Sequence, residues 1–132
     1  MSLSADRLAG SVSTALDSVD RPARGEIWLT RFGAAATGEP SKTRPAVVVS
    51  ATALHGPDPW DLVCVVPLSA SANQGGLRPR IGRRDGLDRD SVAMCRAVVG
   101  LAPSRLLRRL ARLEEGELDA ISEALSVILC LV

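Results

Sequence analysis

The sequence predicts an α+β fold in which antiparallel strands come first and a helix closes the chain. Two apolar runs carry the strand prediction: residues 44–51 read RPAVVVSA and residues 62–68 read LVCVVPL. Both are rich in β-branched residues and bounded by proline or loop residues, the pattern of buried strands. The helix prediction rests on Leu118, Ile121, Leu125, Ile128 and Val132, which recur at three- and four-residue steps. At 132 residues, 46% apolar and 23% charged, the chain is sized for one compact core.

Residues 1–23 read as an appendage. Leu8, Val12, Leu16 and Val19 fall at near-helical spacing, Ser4 is placed to cap the start, and Arg21-Pro22 stops the helix. So short a helix is marginal unless it packs against something. Strands begin after Gly25. In the first, Ile27, Leu29 and Phe32 are expected on one side and Trp28 on the other. Residues 33–43 form a polar loop that carries Glu39 and Lys42, and residues 53–61 form a second loop with Pro57 and Pro59. Pro67 is expected to end the pairing of the third strand. Residues 69–77, SASANQGGL, form a loop of small and polar residues. Short strands are predicted around 78–81 and 91–95, separated by the turn RRDGLDRD, with a further strand at 97–101. Pro103 suits a helix start. The stretch after it, SRLLRRLARL, favours helix by propensity, with a strand near 107–113 as the alternative. Glu114, Glu115 and Glu117 crowd the first turn of the last helix, where the macrodipole favours acids. Its final two turns are apolar nearly all round and call for cover from the core or a second subunit.

Sixteen basic and fifteen acidic residues leave a formal charge of +1. That excludes a strongly basic tail protein, but the distribution is uneven. Residues 78–112 hold ten arginines against Asp85, Asp88 and Asp90, whereas residues 113–132 hold five acids and no base. Such a stretch is either a solvated face or an anion-binding surface. Arginine supplies fifteen of the sixteen basic residues, and it suits bidentate phosphate contacts better than lysine. Cys64, Cys95 and Cys130 are odd in number and far apart, so no disulfide framework follows. Each lies in an apolar run and is expected to be a buried thiol. No signal-peptide stretch opens the chain, and the apolar run 124–132 is far shorter than the ~20 residues of a bilayer span. A cytoplasmic protein without a membrane partner is expected.

Many chemistries lack their residues. There is no Walker loop, dinucleotide fingerprint or GxSxG elbow. His55 is the only histidine and sits in a Pro/Gly loop, so a two-histidine ribonuclease mechanism would need a dimer. Zinc-type spacing is missing, and DGLDRD departs from the order of a calcium loop and reads as a turn. No metal site and no cofactor are expected.

Three polar residues flank the two apolar strands: Glu39 before the second, Arg44 at its edge, and Ser69 just beyond the third. If those strands are antiparallel neighbours, Arg44 and Ser69 face a common site with the Glu39 loop above it. A guanidinium, a hydroxyl and a carboxylate suffice to bind a phosphodiester. Each also has a plainer reading: a solvated charge, a turn residue, a loop acid. Pattern alone reaches an α+β domain with a candidate anion site.

Five blocks take the reading further: RGEIWL (24–29), GEPSKTRPAVVVS (38–50), VVPLS (65–69), GLDRDSVAMC (86–95) and EALSVILCL (123–131). In this order they resemble the MazF/PemK family of toxin endoribonucleases. The resemblance covers 24–132 as the family domain and leaves 1–23 as an N-terminal extension. It implies a small antiparallel β-barrel-like sheet, SH3-like and of the MazF/CcdB type, with a C-terminal helix. It also implies a homodimer, cleavage of single-stranded RNA at short motifs without metal, and neutralisation by a cognate antitoxin protein of a type II toxin–antitoxin system. The family's catalytic arginine and hydroxyl fall on Arg44 and Ser69. Glu39, with Gly38, Lys42 and Ser71, is assigned to substrate binding.

Two departures stand out. Thr37-Gly38-Glu39-Pro40 replaces the family's frequent Gly-Ser-Glu-Gln, and Ser69 stands where threonine is common. In the family, residues 103–113 make a short helix and then a strand, and we take that reading here. The implied reaction is attack by the ribose 2′-hydroxyl, giving a 2′,3′-cyclic phosphate and a 5′-hydroxyl end. Glu39 or water takes the proton, because arginine is always protonated. Trp28, Phe32 and Trp60 are the only aromatic platforms for unpaired bases. Two other readings are a non-catalytic CcdB-like toxin that binds a protein target, and an inactive member that binds only antitoxin or RNA.

Overall fold

The structure, a computed structural model, describes residues 21–33 and 42–131. Residues 1–20, where the N-terminal helix is expected, lie outside the described residues. So do Gly38 and Glu39, within 34–41, and Val132. The strands are β1 (Glu26–Arg31), β2 (Thr43–Val48), β3 (Val63–Ser69), β4 (Arg80–Ile81), β5 (Ser91–Ala93), β6 (Val99–Leu101) and β7 (Leu106–Arg112), followed by helix α1 (Glu115–Ile128). They form one sheet in the order β4-β5-β3-β2-β1-β7, with β6 also paired to β3. Every pairing is antiparallel.

The valine runs are explained by burial on both faces of the sheet. Ile27, Val47 and Val66 stand opposite one another across β1, β2 and β3. They pack with Ile121 and Ala124 of α1. One residue along, Trp28 and Ala46 face the other way and cluster with Val48, Val65 and Leu106. Val47, Val48, Val65 and Val66 are fully buried, each contributing roughly 1.5–3 kcal/mol. Phe32 corrects an expectation: it packs with the Trp28 cluster rather than with Ile27. An even step along a strand keeps the face, and the expected grouping of Phe32 with Leu29 broke that rule.

Other elements also depart from expectation. Residues 103–105 are a 3-10 turn, and Leu106–Arg112 is strand β7, not the helix that propensity favours. Pairing with β1 outweighs local preference there, at the expense of two register shifts. Pro67 ends the observed β2 pairing, yet β3 runs on through Leu68 and Ser69 because β5 takes over as partner. Cys95 is buried and Cys64 half-buried, but Cys130 is exposed, because the chain has already left the helix by a left-handed turn at that residue. Val127, Leu129 and Leu131 are exposed beside it.

The start of α1 is tied to the sheet by charge. The Glu114 carboxylate accepts the Glu117 N–H, and Glu117 Oε1 accepts the Glu114 N–H at 2.9 Å. Glu117 Oε2 meets Arg84 Nη2 at 2.5 Å, and Arg84 also donates to the Gly82 and Arg112 carbonyls, both at 2.9 Å. Burial alone would raise the Glu117 carboxyl; the Arg84 guanidinium and the Glu114 and Gly82 N–H groups outweigh it and hold the group below the ordinary glutamate range.

His55 locks the start of the described chain to the β2–β3 connection. Its Nδ1 lies 2.7 Å from the Pro22 carbonyl oxygen, which can only accept. Nδ1 therefore carries the hydrogen, and Nε2 accepts from the Ser50 hydroxyl at 2.5 Å. Burial is the main cause that lowers its pKa from 6.5; the nearby Arg21 charge adds to this, and the Pro22 carbonyl opposes it. Above about pH 6.5 the ring is neutral in both folded and unfolded chains, so the full stability is present. Below it, the unfolded chain takes up a proton that the folded chain refuses, and stability falls until the lowered folded-state value is reached. The expected outcome is a lower melting temperature at about pH 5.5 than at about pH 7.5. A His55→Gln variant, less stable throughout, should lose most of that difference in thermal denaturation.

Candidate active site

Arg44 is the second residue of β2, half-buried, and stands opposite Thr30 of β1. Thr30 is fully buried, and its hydroxyl donates to the Trp28 carbonyl at 2.9 Å. Ser69 is the last residue of β3 and stands opposite Val92 of β5. The β2–β3 register pairs Ala46 with Pro67 and Val47 with Val66. Two residues further toward the start of β2 and the end of β3, the same register arrives at Arg44 and Ser69. An even step keeps the face, so both residues continue the Trp28–Ala46 side of the sheet, away from α1.

The Ser69 hydroxyl oxygen accepts the backbone N–H of Ser71 at 3.3 Å and of Ala72 at 3.2 Å. The Ser71 hydroxyl lies 3.4 Å away. A hydroxyl has two acceptor positions and one hydrogen. The two N–H groups engage the lone pairs of Ser69, so its hydrogen is directed at the Ser71 hydroxyl, a long contact that an incoming oxygen can displace. Lys42 is exposed and holds a left-handed backbone with φ 61°. It closes the base of the loop: Phe32 N–H donates to the Lys42 carbonyl at 2.8 Å, and Lys42 N–H to the Gly33 carbonyl at 3.0 Å. The structure thus gathers Lys42, Arg44, Ser69 and Ser71 at one end of the sheet. Among the described residues, no three His, Cys, Asp or Glu side chains come close enough to hold a metal ion.

A groove of about 300 Å³ lies beside this end and was not foreseen from the sequence. Pro45, Leu68 and Ala70 line one wall; these residues are the chain neighbours of Arg44 and Ser69. The turn Gly86–Leu87–Asp88–Arg89 lines the other wall, with Arg108 of β7 nearby. Gly86 is required there, because φ is +88° and a Cβ would stand 1.8 Å from the Leu110 carbonyl oxygen. Alternation along β2 and β3 was the available signal: residues next to Arg44 and Ser69 must line the opposite face at the same end.

The basic stretch divides into two sets. Arg84 holds α1, Arg109 pairs with Glu26 at 2.6 Å and lies over the Trp28 ring, and Arg80 pairs with Asp90 at 3.2 Å. Arg105 donates to the Arg31 carbonyl at 3.4 Å and Arg83 lies near the Asp90 charge, whereas Arg78, Arg89, Arg96, Arg108 and Arg112 have no side-chain partner among the described residues. Arg78 and Arg96 line a second groove of about 370 Å³ in the loop region that follows Ser69. Trp28 is only 6% exposed, which corrects its expected role as a platform for bases. Its ring is spent on core packing, and its Nε1–H on Glu26 at 3.1 Å.

Known proteins share this fold. The family described as PemK-like, MazF-like toxin of type II toxin–antitoxin system matches residues 23–129. MazF from Deinococcus radiodurans superposes with a TM-score of 0.69 at 21% identity, covering 83% of this chain and 96% of that one. The toxin MazF-mt6 from Mycobacterium tuberculosis gives 0.66 at 17% identity, covering 80% and 96%. An endoribonuclease solved with its cognate antitoxin from a mycobacterial species gives 0.67 at 20% identity, covering 84% and 97%. At these identities the likeness shows the fold: a curled antiparallel sheet with one C-terminal helix.

The long bonds to Ser69 contribute little to the fold. Replacing Ser69 with alanine should change unfolding free energy by no more than about 1 kcal/mol, measured by urea denaturation. Any larger loss of function in that variant is then chemical rather than structural.

Proposed function

The chain belongs to the PemK-like, MazF-like toxin family of type II toxin–antitoxin systems, and we propose that it is an endoribonuclease cleaving single-stranded RNA at short motifs. The observation that supports the reading is the antiparallel register of β2 and β3, whose last pair, Ala46 with Pro67, stands two residues short of Arg44 and Ser69 on the two strands. The ribose 2′-hydroxyl attacks the adjacent phosphorus in line, leaving a 2′,3′-cyclic phosphate and a 5′-hydroxyl end. Negative charge grows on the non-bridging oxygens in the transition state. Arg44 offsets that charge, and Ser69 exchanges its long contact with the Ser71 hydroxyl for a hydrogen bond to a second oxygen. A guanidinium supplies the positive charge that a metal ion would otherwise bring, so the reaction is proposed to be metal-independent. A guanidinium is a poor general base; Glu39 is the loop carboxylate proposed for substrate binding and for assisting proton transfer. Gly38, Lys42 and Ser71 are proposed to bind the substrate around it.

The unpartnered arginines support an RNA path along the loop after Ser69, through Arg78 and Arg96. We read the exposed Val127, Leu129 and Leu131 as part of a homodimer surface, and residues 1–23 as an extension preceding the 24–132 domain. MazE–MazF complexes are known from Deinococcus radiodurans. By analogy a cognate antitoxin is this chain's partner, with an acidic segment covering the basic site.

Replacing Arg44 with alanine should cut the rate on the order of 10²–10³-fold, read as cleavage of a long defined RNA. Arg44→Lys should fail similarly, because a point charge cannot reproduce the two-pronged contact. An all-deoxy oligonucleotide of the same sequence should stay intact, since it lacks the nucleophile. Equal cutting of DNA would end this mechanism. Growth arrest with no RNA cleavage would favour the CcdB-like reading instead.

A further inference from the structure

We propose that the groove lined by Pro45, Leu68, Asp88, Arg89 and Arg108 is a guanine-selective base subsite, in which Asp88 reads the Watson–Crick edge. The proposal rests on the endoribonuclease reading for its ligand, a nucleotide of the bound RNA. At about 300 Å³, the groove is sized for one base rather than for a helix or strand of a partner. Its lining includes apolar Pro45, Leu68 and Leu87, which suit the flat face of a base. Pro45 follows Arg44, and Leu68 and Ala70 bracket Ser69, so the groove opens at the same sheet end as the pair but on its other face, where RNA rounding that end would reach it.

The polar groups select the base. Asp88, Arg89 and Arg108 are exposed, and none has a side-chain partner among the described residues. A carboxylate only accepts hydrogen bonds. Guanine is the base that offers two adjacent donors, N1–H and N2–H, to match both carboxylate oxygens. Its O6 and N7 accept from a guanidinium. Adenine turns an acceptor nitrogen toward the same carboxylate and is repelled. An acidic peptide would meet the Asp88 charge as well as the two arginines, so a base fits better.

The turn that carries these residues is held in place before any ligand arrives. Arg84 and Leu87 exchange two backbone hydrogen bonds, both 2.9 Å. Asp90 Oδ1 accepts the Arg83 N–H at 2.8 Å, and Gly86 lies against the Leu110 carbonyl. The Arg83 N–H, followed by Arg80, lowers the Asp90 pKa, so that anchor stays charged at neutral pH. A turn backbone fixed in this way loses little freedom on binding, and only the exposed side chains have to be ordered.

The test uses the full chain and three fluorescent heptamers of 2′-O-methyl uridine, with guanine, inosine or adenine at the centre. The 2′-O-methyl groups block cleavage, so binding is read whether or not the protein is a nuclease. The guanine heptamer should bind roughly 5- to 150-fold more tightly than the inosine and adenine heptamers. Asp88→Asn should erase that gap, because an amide presents one acceptor in place of two. Arg89→Gln should weaken the guanine heptamer while the circular dichroism stays unchanged. Equal affinity for the three heptamers, no binding at all, or an unchanged ranking in Asp88→Asn would overturn the subsite. Equal affinity together with tight binding of a poly-glutamate peptide would overturn it too, and would assign the groove to a protein partner. Guanine preference in a protein that cuts no RNA would leave the subsite standing and count against the nuclease.

Discussion

The antiparallel pairing of β2 with β3 is the constraint on which the candidate site depends. Side chains alternate along a strand, so a slip of one residue would turn Val47 and Val66 away from α1 and push Trp28's partners into the wrong layer. Both faces of the central sheet are packed, so such a slip would cost burial on two sides at once. Five fully buried valines in these two strands therefore specify the register tightly. That register also sets which residues arrive at the sheet end. The relative position of Arg44 and Ser69 is thus a by-product of apolar packing some distance away, and no direct bond between them is needed to hold it.

Charge provides the remaining rigidity. Glu26 is 7% exposed yet accepts hydrogen bonds from Ala23 N–H, Trp28 Nε1–H and Arg109. A buried carboxylate so supplied fixes β1 against β7. Arg84 does the same for the helix start, touching Glu117 and two backbone carbonyls. These contacts explain why the excess of arginine after residue 78 overstates the available anion-binding charge. Part of it is committed to the fold, and only the unpartnered set is left for a ligand.

The central strands and the last helix were legible in the sequence, because each rests on a local pattern; the Arg44–Ser69 juxtaposition rests on one pairing assumption, and the antiparallel β2–β3 pairing it assumed is present. β7 was legible only through resemblance: LLRRLAR has helical propensity, and a long-range partner decides otherwise. The exposure of Cys130 was misread because an apolar run was equated with burial, although nothing among the described residues covers the end of α1. The groove beside the site could not be read from composition. It needs the turn at Gly86 to meet β7, a contact between residues 24 positions apart in sequence.

The burial of Trp28 bears on how the proposed RNA substrate would be recognised. Phe32 is packed against the Trp28 cluster, and Trp60, though 86% exposed, precedes β3 while Ser69 ends it. At ~3.3 Å per residue, those two sites are roughly 20 Å or more apart in one protomer. No large aromatic face therefore stands free beside Arg44 and Ser69 among the described residues. Stacking on such a face is tolerant of base identity, whereas hydrogen bonding at a groove with an unpaired carboxylate is not. An unpaired donor or acceptor left by the wrong base goes unsatisfied and costs more than a lost stacking contact. Recognition built from arginines and one aspartate should accordingly be narrow in sequence, with discrimination residing in the turn 84–90 rather than in an aromatic shelf.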